Sequence, residues 1–177
     1  MVVAPLAAIA LSGPTALLDM LSTTQLSVFI RESAWAFPTI ESTHVVALAL
    51  VIGTIAIIDL RLVGWASRHR PYIEISGEVL PWTWAAFAVA ALSGFLMFTS
   101  QPVAYWANLA FRLKIALLLI AGANVLIFHL LTCRSVARWN HAPSVPLPAR
   151  LAGMLSLLLW IAVVFLGRWI GFTMTPV

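Results

Sequence analysis

The stretch PTIESTHVVALALVIGTIAIIDLRLV, residues 38–63, decides the fold of this chain. As a helix rising about 1.5 Å per residue, it is long enough to cross about 30 Å of hydrocarbon. It nevertheless carries Glu41, His44, Asp59 and Arg61. An ionised side chain at mid-bilayer costs about 2.5–3.5 kcal/mol on insertion scales. We therefore expect these groups to be paired, close to an interface, or functional.

The composition assigns the rest of the chain to a membrane as well. The sequence is 62% hydrophobic and 9% charged, whereas a soluble domain carries about 25% charged residues. We predict an all-α integral membrane bundle of four transmembrane helices at about 38–63, 81–99, 108–133 and 151–172, with Pro81 in the first turn of the second. Aromatic residues near the span ends are typical of an interfacial belt: Trp82, Trp84, Tyr105, Trp106, Trp139 and Trp169.

The segment before the first span reads differently from the bundle. Residues 1–11 are apolar but follow no Lys or Arg, which argues against a cleaved signal peptide. Apolar and polar residues mix between Thr15 and Arg31, which indicates a short helix lying in the membrane interface. We therefore expect residues 1–36 to form an N-terminal apolar and interfacial segment, and residues 37–177 to form the bundle.

The positive charges predict an orientation and exclude one class of partner. The formal net charge is +4, but the basic residues stand singly in short loops, so nucleic acid is not an expected partner. The loops at 61–81 and 134–150 carry most of the arginines, which places both in the cytoplasm and both termini in the periplasm. We expect a multi-pass protein of a bacterial inner membrane, surrounded by lipid and packed against other subunits or itself. Cys133 is the one cysteine and cannot form an internal disulfide.

Counting depth from the span ends divides the intramembrane polar residues into two layers. Glu41 precedes His44 by three residues and shares its helix face. We expect Glu41 to pair with Lys114 or Arg168, and Asp59 to pair with His129. The outer layer contains Glu41, His44, Tyr105, Asn108, Arg112, Lys114 and Arg168, and the inner layer contains Asp59, Arg61, His129 and Arg134.

The two intramembrane histidines, His44 and His129, are candidate ligands of a b-type haem. Their depths differ by about 15 Å or more at 1.5 Å per residue, which argues against one haem held between them. Three arrangements stay open: a dimer that pairs His44 with its own copy, a Met or Lys as second ligand, or a five-coordinate iron. On the third span, Gly122 is expected to allow close helix approach and Asn124 to hydrogen-bond across helices.

Six stretches carry a resemblance to a known family. The chain resembles an uncharacterised family of small bacterial four-helix inner-membrane proteins, which implies the fold and no activity. A looser likeness to four-helix b-type cytochromes and copper-resistance membrane proteins rests on architecture alone. The stretches are SAWAFPTIESTH (33–44), DLRLVG (59–64), PWTWAAF (81–87), SGFLMF (93–98), YWANLAFRLK (105–114) and AGANVLIFH (121–129).

Catalytic and metal-binding motifs are missing from the sequence, which contains no phosphate loop, nucleophile elbow, HExxH helix or CxxC pair. The leading hypothesis is therefore a non-catalytic membrane subunit or organiser of a larger redox or energy-converting complex. One alternative is an electron carrier that holds haem b or quinone at His44 or His129. Another is a small solute or proton carrier that uses Glu41, His44 and Lys114.

Overall fold

The computed structural model describes residues 14–67, 69–132, 136–140 and 145–174. Within these ranges the chain is helical without strands, and four helices are long and apolar enough to cross a membrane, which confirms the predicted fold class. The spanning helices are α3, α4, α6 and α8. In chain order the elements are α1 (Pro14–Ser22), α2 (Gln25–Glu32), α3 (Ala36–Val63), α4 (Tyr72–Ser100), α5 (Pro102–Ala107), α6 (Leu109–Ile127), a π-helical turn (Phe128–Thr132), α7 (Val136–Trp139) and α8 (Leu147–Thr173).

The second spanning helix begins earlier than the hydropathy predicts. Helix α4 begins at Tyr72, so Pro81 lies inside it, and the expectation that Pro81 sits in the first turn was wrong. Tyr72, Ile75 and Ser76 are buried. Packing against the bundle thus extends the helix through a segment whose polar residues mask it in the sequence. Proline inside a spanning helix is tolerated where neighbouring groups satisfy the freed backbone.

The N-terminal segment contains two short helices where the sequence predicts one. The break falls after Ser22, and the Thr24 side chain caps α2 by accepting a hydrogen bond from the Ser27 backbone N–H at 3.3 Å. Helix α2 packs on the end of α4, where the Ser27 hydroxyl donates to the Ser100 carbonyl at 3.3 Å. These contacts attach the segment to the bundle. Its location in a membrane interface stays a prediction.

The spanning helices pack as a row rather than a closed ring. Helix α3 packs against α4 and α8, and α8 packs against α6. Helices α4 and α6 share no extensive contact in the described residues, and aromatic rings connect them near both ends. Phe98 stacks on Phe111 with ring centroids 5.4 Å apart. Tyr72 meets Phe128, at the end of α6, edge to face at 5.9 Å. A gap between α4 and α6 remains along the middle of the row.

Two predicted helix contacts have different outcomes. The Asn124 side chain donates to the Ala152 carbonyl on α8 at 3.0 Å, which confirms the predicted hydrogen bond across helices. In the described part of the chain, no atom of a neighbouring helix lies within 4 Å of where a Cβ on Gly122 would be, so the expected close approach there was wrong. The close approach occurs instead at Gly153, where a Cβ would lie 3.0 Å from the Leu62 Cβ.

The aromatic side chains near the span ends do not all face outward. Trp82, Trp84, Trp106 and Trp169 are exposed on the protein surface, as an interfacial belt requires. Tyr105 and Trp139 are only 7% and 4% exposed, so assigning these two to the belt was wrong. The Tyr105 ring packs near Phe98 and Phe111, and the Trp139 ring packs near Tyr72.

Candidate functional site

A cavity of ≈ 510 Å³ lies among the four spanning helices and is called here the His44 cavity. Side chains of α3, α4, α6 and α8 line it, together with Tyr105 of α5. Its walls are largely apolar, from residues such as Leu48, Ile52 and Val163. Five of the predicted outer-layer residues converge on this one space: Glu41, His44, Tyr105, Lys114 and Arg168.

The other two outer-layer residues lie outside the cavity lining. Asn108 caps α6 by accepting from the Phe111 backbone N–H at 3.2 Å. Its amide nitrogen donates to the Thr173 hydroxyl at 2.9 Å and so ties the start of α6 to the end of α8. Arg112 is exposed on the surface of α6. Asn108 therefore has a structural role that explains its position without a ligand.

Hydrogen bonds determine which ring nitrogen of His44 carries the proton. His44 Nδ1 lies 3.0 Å from Ser93 Oγ. The Ser93 hydroxyl has one proton to donate. Ser93 Oγ lies 2.6 Å from the Val89 carbonyl oxygen, and the hydroxyl donates its proton to that oxygen. Ser93 Oγ must therefore accept from His44, which places the imidazole proton on Nδ1. In this tautomer Nε2 carries the lone pair of the ring.

Gly94 makes room for the His44 ring. A Cβ on Gly94 would lie 2.9 Å from His44 Cε1 and 3.4 Å from His44 Nδ1. A contact as short as 2.9 Å is essentially never made by a real Cβ, so the ring occupies the space a side chain would need. The neighbouring Ser93 and Gly94 thus position His44 together, one by a hydrogen bond and the other by the absence of a side chain.

The charged residues of the cavity face one another without direct ion pairs. In the described part of the chain, the ion pairs within 4.0 Å are those of Arg70 with Glu74 and Glu78, so Glu41 does not pair with either cation at that distance. Lys114 extends towards α8, where its Nζ would lie 3.6 Å from a Cβ on Gly167.

Arg168 and Tyr105 complete the polar lining. The Arg168 guanidinium lies over the Phe172 ring, 5.9 Å from its centroid. Burial raises the pKa of the Tyr105 hydroxyl to about 12, and the negative charge of Glu41 acts in the same direction. Tyr105 therefore stays a neutral hydroxyl beside the acid at physiological pH.

The predicted inner layer is associated with a second, smaller cavity of ≈ 70 Å³, called here the Asp59 cavity. Asp59, Asn124, His129 and Ser156 contribute its polar lining, with Tyr72 beside them. Asp59 is only 5% exposed. Its Oδ2 has no hydrogen-bond partner among the residues that the structure describes. Asp59 and His129 share this cavity but form no ion pair within 4.0 Å among the described residues.

Arg61 serves the fold rather than the Asp59 cavity. Its side chain is 1% exposed, and its Nε donates to the Arg70 carbonyl at 2.9 Å, which ties α3 to the loop before α4. Arg61 does not line the cavity. Arg134, the fourth inner-layer residue, lies outside the described residues, as does Cys133.

Sequence reasoning missed the contribution of the second spanning helix to the His44 cavity. Ser93, Gly94 and Met97 contact His44 or line the cavity, and none was a predicted site residue. A signal was present, because the small pair Ser93-Gly94 lies seven residues before the end of α4, and His44 lies eight residues after the start of α3. In antiparallel helices these positions have similar depths.

The histidine placement bears on the haem question. His44 lines one cavity and His129 the other, so no single space connects both imidazoles to one iron. The described residues contain no group of three or more His, Cys, Asp or Glu that could hold a metal ion. Any metal in the His44 cavity would thus depend on one histidine and on ligands of other types.

Comparison with known proteins gives a family and no activity. Neither the curated proteins nor the solved structures contain a match. The sequence profile of a family of unknown function (DUF6644) matches residues 23–173. This match covers the second N-terminal helix and all four spanning helices, and it confirms the resemblance to an uncharacterised family. The likeness to b-type cytochromes and copper-resistance proteins stays a prediction. The chain belongs to the family of unknown function DUF6644.

Proposed function

We propose that this protein binds a b-type haem in the His44 cavity and carries electrons within a membrane. The observation that carries the proposal is the state of His44. The hydrogen bond with Ser93 places its proton on Nδ1, which leaves the Nε2 lone pair on a ring that lines a cavity of ≈ 510 Å³. A histidine that donates from one ring nitrogen and coordinates through the other is the common arrangement at metal centres.

The hydrogen bond to Ser93 supports this role in two ways. Donation from Nδ1 selects the tautomer in which Nε2 can coordinate, and it makes the ring a stronger base. It also restrains the ring orientation, and the missing Cβ of Gly94 leaves the ring the space it occupies. An axial ligand that is ordered before the cofactor arrives loses less conformational entropy on binding.

The cavity suits haem in size, polarity and charge. Pockets for small molecules and cofactors span about 300–1,000 Å³ and are mostly apolar with a few polar groups. Lys114 and Arg168 supply two cations for the two propionate groups, in a setting where charge-assisted hydrogen bonds are strong. The sequence left a methionine or a lysine open as the second axial ligand of the iron. The cavity lining contains one of each, Met97 and Lys114.

A visible absorption spectrum of the protein purified from haem-replete cells tests the proposal. We expect a Soret band in the wild type, its loss in His44→Ala, and its retention in His129→Ala, which removes the histidine of the other cavity. Size-exclusion elution of the variants checks that each stays folded. A colourless wild-type protein, or a band lost in His129→Ala and kept in His44→Ala, would refute haem binding in the His44 cavity.

The same experiment separates haem from quinone. The Nε2 lone pair of His44 can also accept a hydrogen bond from a quinol hydroxyl. Solvent extraction of the purified protein, followed by chromatography, detects a bound quinone. A colourless protein that releases quinone in wild-type form and not as His44→Ala would replace the haem proposal with quinone binding at the same site.

A second candidate role, as a subunit of a larger membrane complex, is favoured by the surface of α6. In its most apolar stretch, 11% of the residues of α6 are buried inside the protein. The corresponding share is 33% for α3 and for α8. Helix α6 lies at one end of the row and contacts α8 on one side, so most of its surface is available to lipid or to another helix. Extraction in native lipid discs and mass measurement tests this role, and a single chain of 19.2 kDa as the sole protein per disc would contradict it.

A further inference from the structure

We propose that the Asp59 cavity is a proton-exchange site, in which Asp59 holds a dissociable proton and passes it through water to His129. The proposal does not depend on haem or quinone, because it uses a different cavity and different side chains. It rests on the burial of Asp59, the polar groups around it, and the exposure of His129 at the other end of the same space.

Asp59 is a buried acid with the Ser156 hydroxyl as a hydrogen-bond neighbour and no cation beside it among the described residues. It is 5% exposed, Oδ2 has no partner, and no cation lies within 4.0 Å among the described residues. Arg61, the nearest cation along the chain, donates its Nε to the Arg70 carbonyl. An ionised carboxylate without a counter-ion in a low-dielectric interior pays a large desolvation penalty. The neutral acid avoids it, so the resting site holds a proton on Asp59.

The neighbouring elements present few groups that could titrate with Asp59. Helix α4 contributes Tyr72 to the cavity lining, and the π-helical turn after α6 contributes His129. The side chains from α8, among them Ser156, are neutral. Of these groups, His129 carries the imidazole, a side chain whose ring nitrogen can accept a proton and release it again. It is therefore the natural partner for the Asp59 proton.

The cavity is large enough for water and has the polar groups to hold it. Liquid water occupies about 30 Å³ per molecule, so ≈ 70 Å³ has room for about two molecules. A buried water needs about two to four polar partners. The Asp59 carboxyl and the Ser156 hydroxyl are two, and Asn124 adds its carbonyl oxygen because its amide nitrogen already donates to Ala152. Such a chain connects Asp59 to His129 without direct contact.

His129 links the cavity to the protein surface. It lines the cavity and is exposed, and it lies in the π-helical turn Phe128–Thr132. Local π-helical geometry is rare and is frequent at functional sites. In the exchange, the Asp59 O–H bond breaks, water relays the proton, and an N–H bond forms on the His129 imidazole. The resulting carboxylate and imidazolium are opposite charges on one cavity until the imidazolium releases its proton to solvent.

The sequence makes this site unusually easy to observe, since Asp19 and Asp59 are its only aspartates. The full-length protein is labelled with ¹³C at the aspartate carboxyls and examined in lipid nanodiscs by infrared spectroscopy across a pH series. We expect one labelled band of a protonated carboxyl near neutral pH, from Asp59, because Asp19 is exposed. Asp59→Asn should remove this band, and Asp19→Asn should leave it unchanged.

Hydrogen–deuterium exchange of the same band tests the role of His129. His129→Gln removes the proton acceptor and should slow exchange of the Asp59 proton several-fold, whereas Glu41→Gln, in the other cavity, should leave the rate unchanged. If Asp59→Asn fails to fold, the labelled wild type and Asp19→Asn still assign the band. An ionised Asp59 throughout the pH series, or an exchange rate unaffected by His129→Gln, would overturn the proposal.

Discussion

Replacing Gly94 with alanine tests whether the position of His44 is built into the fold. The added Cβ would lie 2.9 Å from His44 Cε1 and 3.4 Å from Nδ1, so the imidazole must move. Ser93 follows Val89 by one helical turn and is held to its carbonyl at 2.6 Å, so it cannot follow the ring freely. We expect the Nδ1 hydrogen bond to Ser93 to lengthen or break.

The size of the effect follows from three contributions. Overpacking a well-packed interior costs about 1–3 kcal/mol, and losing a neutral hydrogen bond costs about 0.5–1.5 kcal/mol. Alanine also gains about 0.5–1 kcal/mol over glycine inside a helix. Gly122→Ala is the matched control, because nothing lies within 4 Å of its added Cβ and the helix gain is the same. The two variants should therefore differ by about 1.5–4.5 kcal/mol in the free energy of unfolding.

Denaturant unfolding in mixed micelles, followed by tryptophan fluorescence, measures this difference. A double-mutant cycle isolates the ring contact, since His44→Ala removes the group with which the new methyl collides. In the His44→Ala background, Gly94→Ala should cost nothing and should behave like Gly122→Ala. Equal stabilities of Gly94→Ala and Gly122→Ala in the wild-type background would refute the packing argument.

Two further predictions concern other parts of the bundle. Gly153→Ala places a Cβ 3.1 Å from a backbone carbonyl oxygen of α3. It should lower the free energy of unfolding by about 1–3 kcal/mol relative to Gly171→Ala, a control on the same helix with nothing within 4 Å of its added Cβ among the described residues. Equal stabilities of the two variants would contradict this prediction. Burial raises the pKa of Tyr105 from 10.0 to about 12. The resulting contribution to the free energy of unfolding is fully present below pH 10 and falls by about 3 kcal/mol as the pH rises through 12. Tyr105→Phe should lack this pH dependence. In Tyr72→Phe, Tyr105 is the only tyrosine of the sequence. Ultraviolet titration of tyrosinate in this variant measures the pKa of Tyr105, and a midpoint near 10 would contradict the prediction.

The four spanning helices could be predicted because lipid burial depends on local composition. A run of about twenty apolar residues is a membrane helix whatever its partners. Helix ends depend on packing instead, which is why α4 begins at Tyr72 and contains Pro81. Polar residues such as Glu74 and Glu78 hide this extension, because they pair with Arg70 on the exposed face while Ile75 is buried.

The candidate site was predictable in depth and not in detail. Glu41, His44 and Lys114 share a cavity because each lies within a few turns of the same end of the bundle, and residue counts convey that depth. The hydrogen bond between His44 and Ser93 could not be predicted, because it depends on the rotation of α4 about its axis. Side-chain direction is decided by packing partners, and the long apolar part of α4 after Pro81 carries little periodic signal of its own rotation.

One feature of the packing explains why the ionisable groups lie in two separate cavities. Helices α4 and α6 flank the α3–α8 pair, and ring contacts join them near both ends. A central apolar cluster of α3, α4 and α8 lies between the two cavities. Glu41 and His44 on α3 face one cavity, and Asp59, fifteen residues beyond His44 on roughly the same helix face, reaches the other. Asp59 is therefore buried and His44 half-buried, whereas Glu41, nearest the start of α3, is exposed. The central cluster is Val51, Ala86, Trp160 and Val163.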